Sequence, residues 1–344
     1  MVDLDKVTQD LSRWLIGREN AGTRIDNMQL LSGGFSQFMA AFDLHAPTGI
    51  RKLVLRASRP CGEAITFTDR AAEWALISSL TCRGDVPLPA GLWFDEGDAL
   101  GLPCFVVEHV SGPTVKKMMI DAHANDRRSF ADRLCDCLVS IHAVPAQDLP
   151  ADLPRPRDWD SHIDGLIDRW IALERSGLEP DPIVRYIAKW LRTNKPKSAP
   201  LCLVHGELNN DNLIVTDDGS LTAVDWEYGH IGDPREDIGW YRTVSTSVPP
   251  DLLADDTEAF CARYRAASGL SEEVINPAAV AYFGLLASVG VYNTLVGGPA
   301  TVEASPDAPV LAAYVSAVLA TTHLRWFESL SALECAASSG HSRR

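Results

Sequence analysis

The stretch HGELNNDNLIVTDDGSLTAVDWE, residues 205–227, sets a crowded polar loop before two short apolar runs split by Asp-Asp-Gly-Ser. Apolar runs on either side of an Asp-Gly turn read as a β-hairpin. If Asp218 and Gly219 form the loop, Asp217 lies opposite Ser220 and Asn212 opposite Asp225; a four-residue loop with the same centre gives the same pairing. Directly opposed side chains have Cβ atoms about 5 Å apart, so an amide oxygen and a carboxylate would meet at one end of the hairpin. Mg²⁺ takes oxygen ligands and usually draws only one or two from protein, leaving the rest to phosphate and water. Asn and Asp equally often satisfy loop backbone groups at strand ends. Glu207, just after Gly206, adds an acid five residues before Asn212. Acid, amide and acid together suit a base beside a metal-bound phosphate better than they suit a turn.

Upstream, QFMAAFDLHA (37–46) alternates apolar and other side chains, PTG makes a turn, and RKLVLRAS (51–58) follows, so residues 27–56 read as strands and a hairpin. The Gly33-Gly34 pair in LLSGGFSQF lies between two strand candidates, where backbone amides can approach phosphate without side-chain obstruction. Alternation puts Lys52, Val54 and Arg56 on one face of the second strand. Spacing turns helical between Phe67 and Leu80, with Thr68 as the expected N-cap. Glu73 shares a stripe there with Leu76, Ile77 and Leu80. A carboxylate on a buried face wants a cation, which Arg56 or Lys52 can supply; a surface glutamate at the stripe's edge is the plainer alternative. One more buried strand leaves LPCFVVEHVSGPT through a Gly-Pro turn. A small, mostly β lobe with one helix is therefore expected to end near residue 111.

Helical spacing then covers 128–143, 158–175 and 181–193, separated by Pro-rich breaks, and helices resume from about Arg235 to Ser331. The expected organisation is an N-terminal lobe over 1–110, a helical lobe over 111–334 and a disordered tail over 335–344. The segment PAAVAYFGLLASVGVY (277–292) is too short to span a bilayer, which takes roughly 18 to 20 residues, and reads as a buried helix. The first residues carry acids and no continuous apolar core, so no signal peptide is expected and the expected location is cytoplasmic. Eight cysteines scattered among apolar neighbours read as reduced core residues, and Cys135 and Cys137, two apart on a helix, point away from each other. With 31 basic and 46 acidic side chains the net charge is −15, which disfavours nucleic-acid and anionic-membrane partners; it would suit a cationic substrate, although a solvated acidic surface is the commoner reason for such a charge.

The order of glycine turn, cationic strand residue, helix glutamate, VVEHVSG, HGELNNDN and DWEYGHIGDPREDIGW resembles the aminoglycoside-phosphotransferase-like small-molecule kinase superfamily, which includes choline kinase-like members and is related to the protein kinases. The resemblance covers about residues 10–330. RWIALERSGLEPDPIVRYIAKWL, with LSGGFS, LVLR and DWE, looks especially like the branch found alone in bacteria or fused to acyl-CoA dehydrogenases. It implies an α+β, bilobal protein-kinase-like fold, with a small β-rich N-lobe and a larger helical C-lobe. It also implies ATP and Mg²⁺ as cofactors. By the same resemblance, Ser32, Gly33, Gly34 and Ser36 match the loop over the nucleotide phosphates. Arg56 occupies the strand-lysine position and Glu73 is its helix partner. Glu108 to Val110 match the connector whose backbone binds adenine. His205 matches the structural histidine of the catalytic loop and Glu207 the catalytic carboxylate. Asn212 and Asp225 match the magnesium ligands, with Glu227 reaching the metal through water. Asp233 and Asp237 match loop-anchoring acids.

Two positions depart from the superfamily. Arginine at 56 keeps the charge and a bidentate reach. Glutamate at 207, where the relatives carry aspartate, hardly alters basicity, since the ordinary pKa values are about 3.9 and 4.3. It does move the carboxylate outward by roughly one C–C bond, about 1.5 Å, and a misplacement of ~1 Å can cost ~100-fold in rate. The expected function is ATP- and Mg²⁺-dependent phosphorylation of a hydroxyl on a small molecule, either a hydroxyacyl-type or other catabolic alcohol or an antibiotic. Helices after 235, with the 150–195 segment, would form the acceptor pocket, and the chain would be a monomer or homodimer. The alternative is a nucleotide-binding pseudokinase whose base Glu207 has spoiled. A protein kinase is disfavoured because no DFG to APE activation segment follows Asp225.

Overall fold

The computed structural model describes residues 4–16, 18, 23–31, 37–58, 69–120, 124–176, 182–245, 250–253, 255–301 and 325–334. The chain divides into two compact units, Met1–Ser111 and Gly112–Arg344. The expected tail over 335–344 lies outside the described residues.

In the first unit, helix α1 (Leu4–Ile16) precedes strands β1 (Arg24–Leu30), β2 (Gln37–Ala46) and β3 (Gly49–Ser58). Helix α2 (Arg70–Arg83) and strands β4 (Gly91–Asp95) and β5 (Cys104–Glu108) follow. The strands form one five-stranded antiparallel sheet in the order β1-β2-β3-β5-β4. The β2–β3 hairpin pairs Ala46 with Gly49, so Pro47 and Thr48 of the expected PTG turn form its loop and Gly49 opens β3. Leu53, Leu55 and Ala57 of β3 pack in a core with Phe42, Leu44 and Val106, and α1 adds Leu11, Trp14 and Leu15 to it. Arg56, by alternation, points to the opposite side of the sheet. The first unit thus carries α1 in addition to the anticipated α2, and a strand, β4, whose half-buried side chains give no clean alternation to read. Helix α2 is capped by Asp69, whose side chain accepts from the amides of Ala71 and Ala72, and it ends at Gly84 with φ 77°. Thr68, the anticipated cap, lies outside the described residues.

The second unit carries α3 (Val115–Met119), α4 (Ala124–His142), α5 (Trp159–Ser176) and α6 (Pro182–Thr193). Strands β6 (Cys202–Val204), β7 (Leu213–Val215), β8 (Leu221–Ala223) and β9 (His230–Gly232) follow, then α7 (Arg235–Ser245), α8 (Thr257–Ser268) and α9 (Pro277–Thr301). A further helix spans 325–334. β7 pairs with β8 and β6 with β9, both antiparallel. The core draws Ile163, Ile167 and Trp170 of α5, Val184, Ile187 and Leu191 of α6, Phe283, Leu286 and Val289 of α9, and Trp326 and Leu330. The apolar run opens α9, and its side chains from Ala279 to Val289 are mostly buried as expected; among the described residues no helix is long and apolar enough to cross a membrane. Of the cysteines, 82, 104, 135, 137, 202 and 261 are free thiols, all buried except Cys82. Cys61 and Cys335 lie outside the described residues.

The β7–β8 hairpin departs from the expected register by one residue. Leu213 pairs with Ala223, Ile214 with Thr222 and Val215 with Leu221. Asp217, Asp218 and Gly219 form a three-residue loop, with the Thr216 amide bonded to Ser220 O at 3.0 Å. Gly219 takes φ 81°, which only glycine adopts cheaply, and Asp218 Oδ1 accepts from the Ser220 amide at 3.0 Å and from Thr216 Oγ1 at 2.6 Å. The consequence is that Asn212 stands opposite Val224, whose amide donates to Asn212 O at 2.9 Å, rather than opposite Asp225.

Candidate functional site

The polar loop of the second unit runs from the end of β6 to the start of β7 and is fixed from behind. Asp237, fully buried in the first turn of α7, accepts the backbone amides of His205 and Gly206, each at 2.8 Å. His142, the last residue of α4, reaches the same carboxylate through Nε2 at 3.1 Å, and its Nδ1 meets the Tyr264 hydroxyl at 2.7 Å. Burial alone would raise the Asp237 carboxyl, but the His142 hydrogen bond and charge and the His205 backbone amide override it and hold it below its ordinary value. Asp237 therefore acts on the loop's backbone.

His205, also fully buried, has Nε2 at 3.0 Å from Val224 O. A carbonyl only accepts, so the ring proton sits on Nε2, and Nδ1 is left to accept the Glu207 amide at 3.3 Å. Its ring lies 4.6 Å from that of Trp226. Gly206 turns the loop with φ 84°, where an added Cβ would sit 2.4 Å from Tyr228 O. The carbonyl of Glu207 accepts from Nδ2 of Asn209 at 3.1 Å and from Nδ2 of Asn212 at 3.0 Å. The amide nitrogen of Asn212 is thus committed inward, and its oxygen is the atom it can offer to a cation. Asn210, fully buried, donates to Pro250 O at 2.9 Å and accepts from the Tyr241 hydroxyl.

Asp225 leaves β8 at φ 70°, a left-handed conformation uncommon for a non-glycine residue. It turns the chain so that carboxylate oxygens of Glu207, Asp225 and Glu227 lie within 4.8 Å of one another. Three acids at that spacing, from a loop and a strand end, form an all-oxygen donor set that fits a hard divalent cation such as Mg²⁺. Asn212 belongs beside this cluster by its bond to the Glu207 carbonyl, not by ladder opposition to Asp225. Downstream, Asp233 is closed off by Arg235, whose Nη2 and Nε lie 2.6 and 2.8 Å from its carboxylate, and by the Trp159 indole.

In the first unit, Arg56 Nη2 lies 2.9 Å from Glu73 Oε1, with both side chains buried. Lys52, the other cation considered, instead accepts the His109 amide on its carbonyl at 3.1 Å. Glu73 holds a second guanidinium that sequence reasoning missed: Arg70, buried, bonds Glu73 Oε2 and also Gln37 Oε1 at 2.8 Å. The signal was present, since Arg70 and Glu73 are spaced i, i+3 on one helix. Glu108 closes β5, its amide donating to Ala90 O at 2.9 Å, and Arg51 stands 3.6 Å from its carboxylate. Val110 is half-buried just beyond. Ser32, Gly33, Gly34 and Ser36 lie outside the described residues.

Comparison with known proteins places these features in a family. The model of the phosphotransferase enzyme family, APH, matches residues 29–270. Mouse acyl-CoA dehydrogenase family member 10 is 25% identical over 198 residues, which is 55% of this chain; the chain spans only 18% of that curated relative's length. A solved structure from Ralstonia eutropha JMP134, provisionally named an aminoglycoside phosphotransferase, superposes with a TM-score of 0.69 at 18% identity, covering 94% of this chain and 98% of the other. An aminoglycoside phosphotransferase in ternary complex with ADP and hygromycin B superposes with a TM-score of 0.58 at 15% identity, covering 89% and 98%. At these identities the solved structures show a shared fold, an antiparallel-sheet unit followed by a helical one. With the family model covering more than half of its residues, the chain belongs to the phosphotransferase enzyme family.

Proposed function

We propose that this chain is an ATP- and Mg²⁺-dependent O-phosphotransferase that phosphorylates a hydroxyl of a small molecule. One observation carries the reading: Glu207 sits on a backbone clamped by Asp237, with its carboxylate within 4.8 Å of Asp225 and Glu227. Phosphoryl transfer asks for alignment and charge neutralisation more than for covalent chemistry. Asp225, Glu227 and the Asn212 oxygen would hold Mg²⁺, which when bound neutralises phosphate charge. Glu207 orients the acceptor hydroxyl and takes its proton. In the first unit, Glu73 holds Arg56, and by the family resemblance the Arg56 guanidinium would orient nucleotide phosphates, Ser32, Gly33, Gly34 and Ser36 would contact them, and the Glu108–Val110 backbone would receive the adenine. Support for nucleotide use comes from the ADP complex of the solved relative. The acceptor is a hydroxyacyl-type or other catabolic alcohol, in keeping with the acyl-CoA dehydrogenase relative, or a cationic antibiotic, in keeping with the charge of −15.

A second reading is favoured by the same geometry. A glutamate this close to Asp225 and Glu227 can serve as a third metal ligand, and the chain would then bind nucleotide without turnover. Purified protein with Mg²⁺-ATP and a metabolite panel separates the two, with mass spectrometry seeking a product heavier by one phosphate. Such a product that vanishes in Glu207→Ala supports the kinase. Tight Mg²⁺-ATP binding with no product across the panel supports the binding protein.

A further inference from the structure

A second cluster of ligating side chains stands apart from the acid cluster. His162 in the first turns of α5, His230 on β9 and Glu236 on α7 bring one ligating atom each to within 4.8 Å of one another. His162 Nε2 lies 2.6 Å from Glu236 Oε1, and His230 Nε2 lies 3.2 Å from Oε2. The His162 and Glu236 side chains are 7% and 13% exposed, and that of His230 is 33% exposed, so the cluster is walled on one side and reachable on the other.

The tautomer of His230 is what gives the cluster its meaning. Its Nδ1 lies 2.8 Å from the Tyr228 carbonyl, which can only accept, so Nδ1 carries a proton. Nε2 then points a lone pair at a carboxylate oxygen, and two acceptors at that distance require a cation between them. Either a second ring proton or a metal ion supplies it. Metal-ligating histidines characteristically donate one ring N–H to a backbone carbonyl, as His230 does to Tyr228, and keep the other nitrogen for the ion. Gly232 keeps the space beside these atoms open, since a Cβ there would come 2.5 Å from Glu236 Oε1 and 2.8 Å from His230 Nε2.

The geometry points to a site for a borderline divalent cation of the Zn²⁺ type at His162, His230 and Glu236, separate from the all-oxygen cluster at Glu207, Asp225 and Glu227. Two imidazoles and one carboxylate suit Zn²⁺, with a fourth position left to water on the exposed side, whereas Mg²⁺ prefers oxygen throughout. The three ligands come from three elements around the turn that carries Asp233 and leads to Asp237, so an ion there ties α5 and β9 to the start of α7.

The test uses the full chain without a histidine tag, stripped with EDTA and dialysed against Zn²⁺ in excess Mg²⁺. About one Zn²⁺ per chain is expected to remain, with the zinc-edge X-ray absorption fine structure showing two imidazoles. Glu207→Gln and Asp225→Asn are expected to retain it, and His230→Ala, which removes the most exposed ligand, to weaken binding by at least roughly 100-fold. Substoichiometric Zn²⁺ in the wild-type chain overturns the site and leaves the three groups held by protons. So does an all-oxygen zinc shell, or zinc that Asp225→Asn loses and His230→Ala keeps. The absorption measurement on the wild-type chain decides even where a histidine variant fails to fold, and none of these readouts depends on kinase activity.

Discussion

Asp237 is the residue on which the 205–212 loop hangs, because its carboxylate answers two backbone amides and one imidazole at once. Asp237→Asn puts an N–H where an acceptor is needed, and breaking a buried charged network of this kind costs about 3–5 kcal/mol; urea denaturation reads the loss. The sign of the pH dependence follows from the depressed carboxyl. A group held below its ordinary value stabilises the fold above that value and loses the contribution as pH falls through the folded-state pKa. Wild-type stability is therefore expected to decline below about pH 4, and the Asp237→Asn chain to lose this part of the decline, as thermal melts across the acid range will show. At Glu207 the measurement is turnover. Glu207→Ala is expected to lower kcat by about 10²–10⁴-fold, with Mg²⁺-ATP binding monitored separately to exclude loss of the cation. Glu207→Asp withdraws the carboxylate by about 1.5 Å, and on the order of 100-fold in kcat is expected to go with it. Unchanged turnover in the alanine variant would remove Glu207 from the chemistry.

At the scale of elements, α7 and α9 meet through glycine. A Cβ on Gly239 would lie 2.5 Å from the Phe283 carbonyl carbon and 2.6 Å from the Gly284 nitrogen, and Thr243 Oγ1 reaches both Gly239 O and Gly284 O at 2.9 Å. Gly239→Ala must push the helices apart, an overpacking cost of about 1–3 kcal/mol. Because α7 begins with the acids of the Asp233 turn, that displacement is expected to lower both the melting temperature and kcat, whereas Gly165→Ala inside α5, where nothing lies within 4 Å, is expected to leave kcat unchanged and to hold or slightly raise the melting temperature. Much of this architecture was legible beforehand: β2, β3, α2 and the buried α9 stand where alternation and helical spacing put them. What escaped was of two kinds. The β7–β8 register slipped because Asp-Asp-Gly serves a two-residue or a three-residue loop equally well, and only the left-handed Gly219 chooses between them. Arg70 escaped because its i, i+3 spacing to Glu73 also reads as an ordinary surface pair and does not say that one buried carboxylate serves two guanidiniums, and the convergence of Glu227 with Glu207 depends on the left-handed Asp225, which no spacing announces.

For the molecule as a whole, a net charge of −15 makes ionic strength a probe of the acceptor. Surface fields are screened over about 8 Å at physiological salt, so KM for a cationic acceptor is expected to rise with added NaCl. For an anionic one such as an acyl thioester of a nucleotide, it is expected to fall. Initial rates across a salt series on both classes would choose between the two acceptor groups. EDTA is expected to abolish turnover and excess Mg²⁺ to restore it. The manner in which Asp237 grips the loop bears on how such a kinase can change over generations. The frame of residues 205 and 206 is held through main-chain amides, so the side chain at 207 can be exchanged without disturbing the support beneath it. With Glu207 in its proposed role, lengthening the acid there would serve acceptors that dock at a different depth on an unaltered backbone frame.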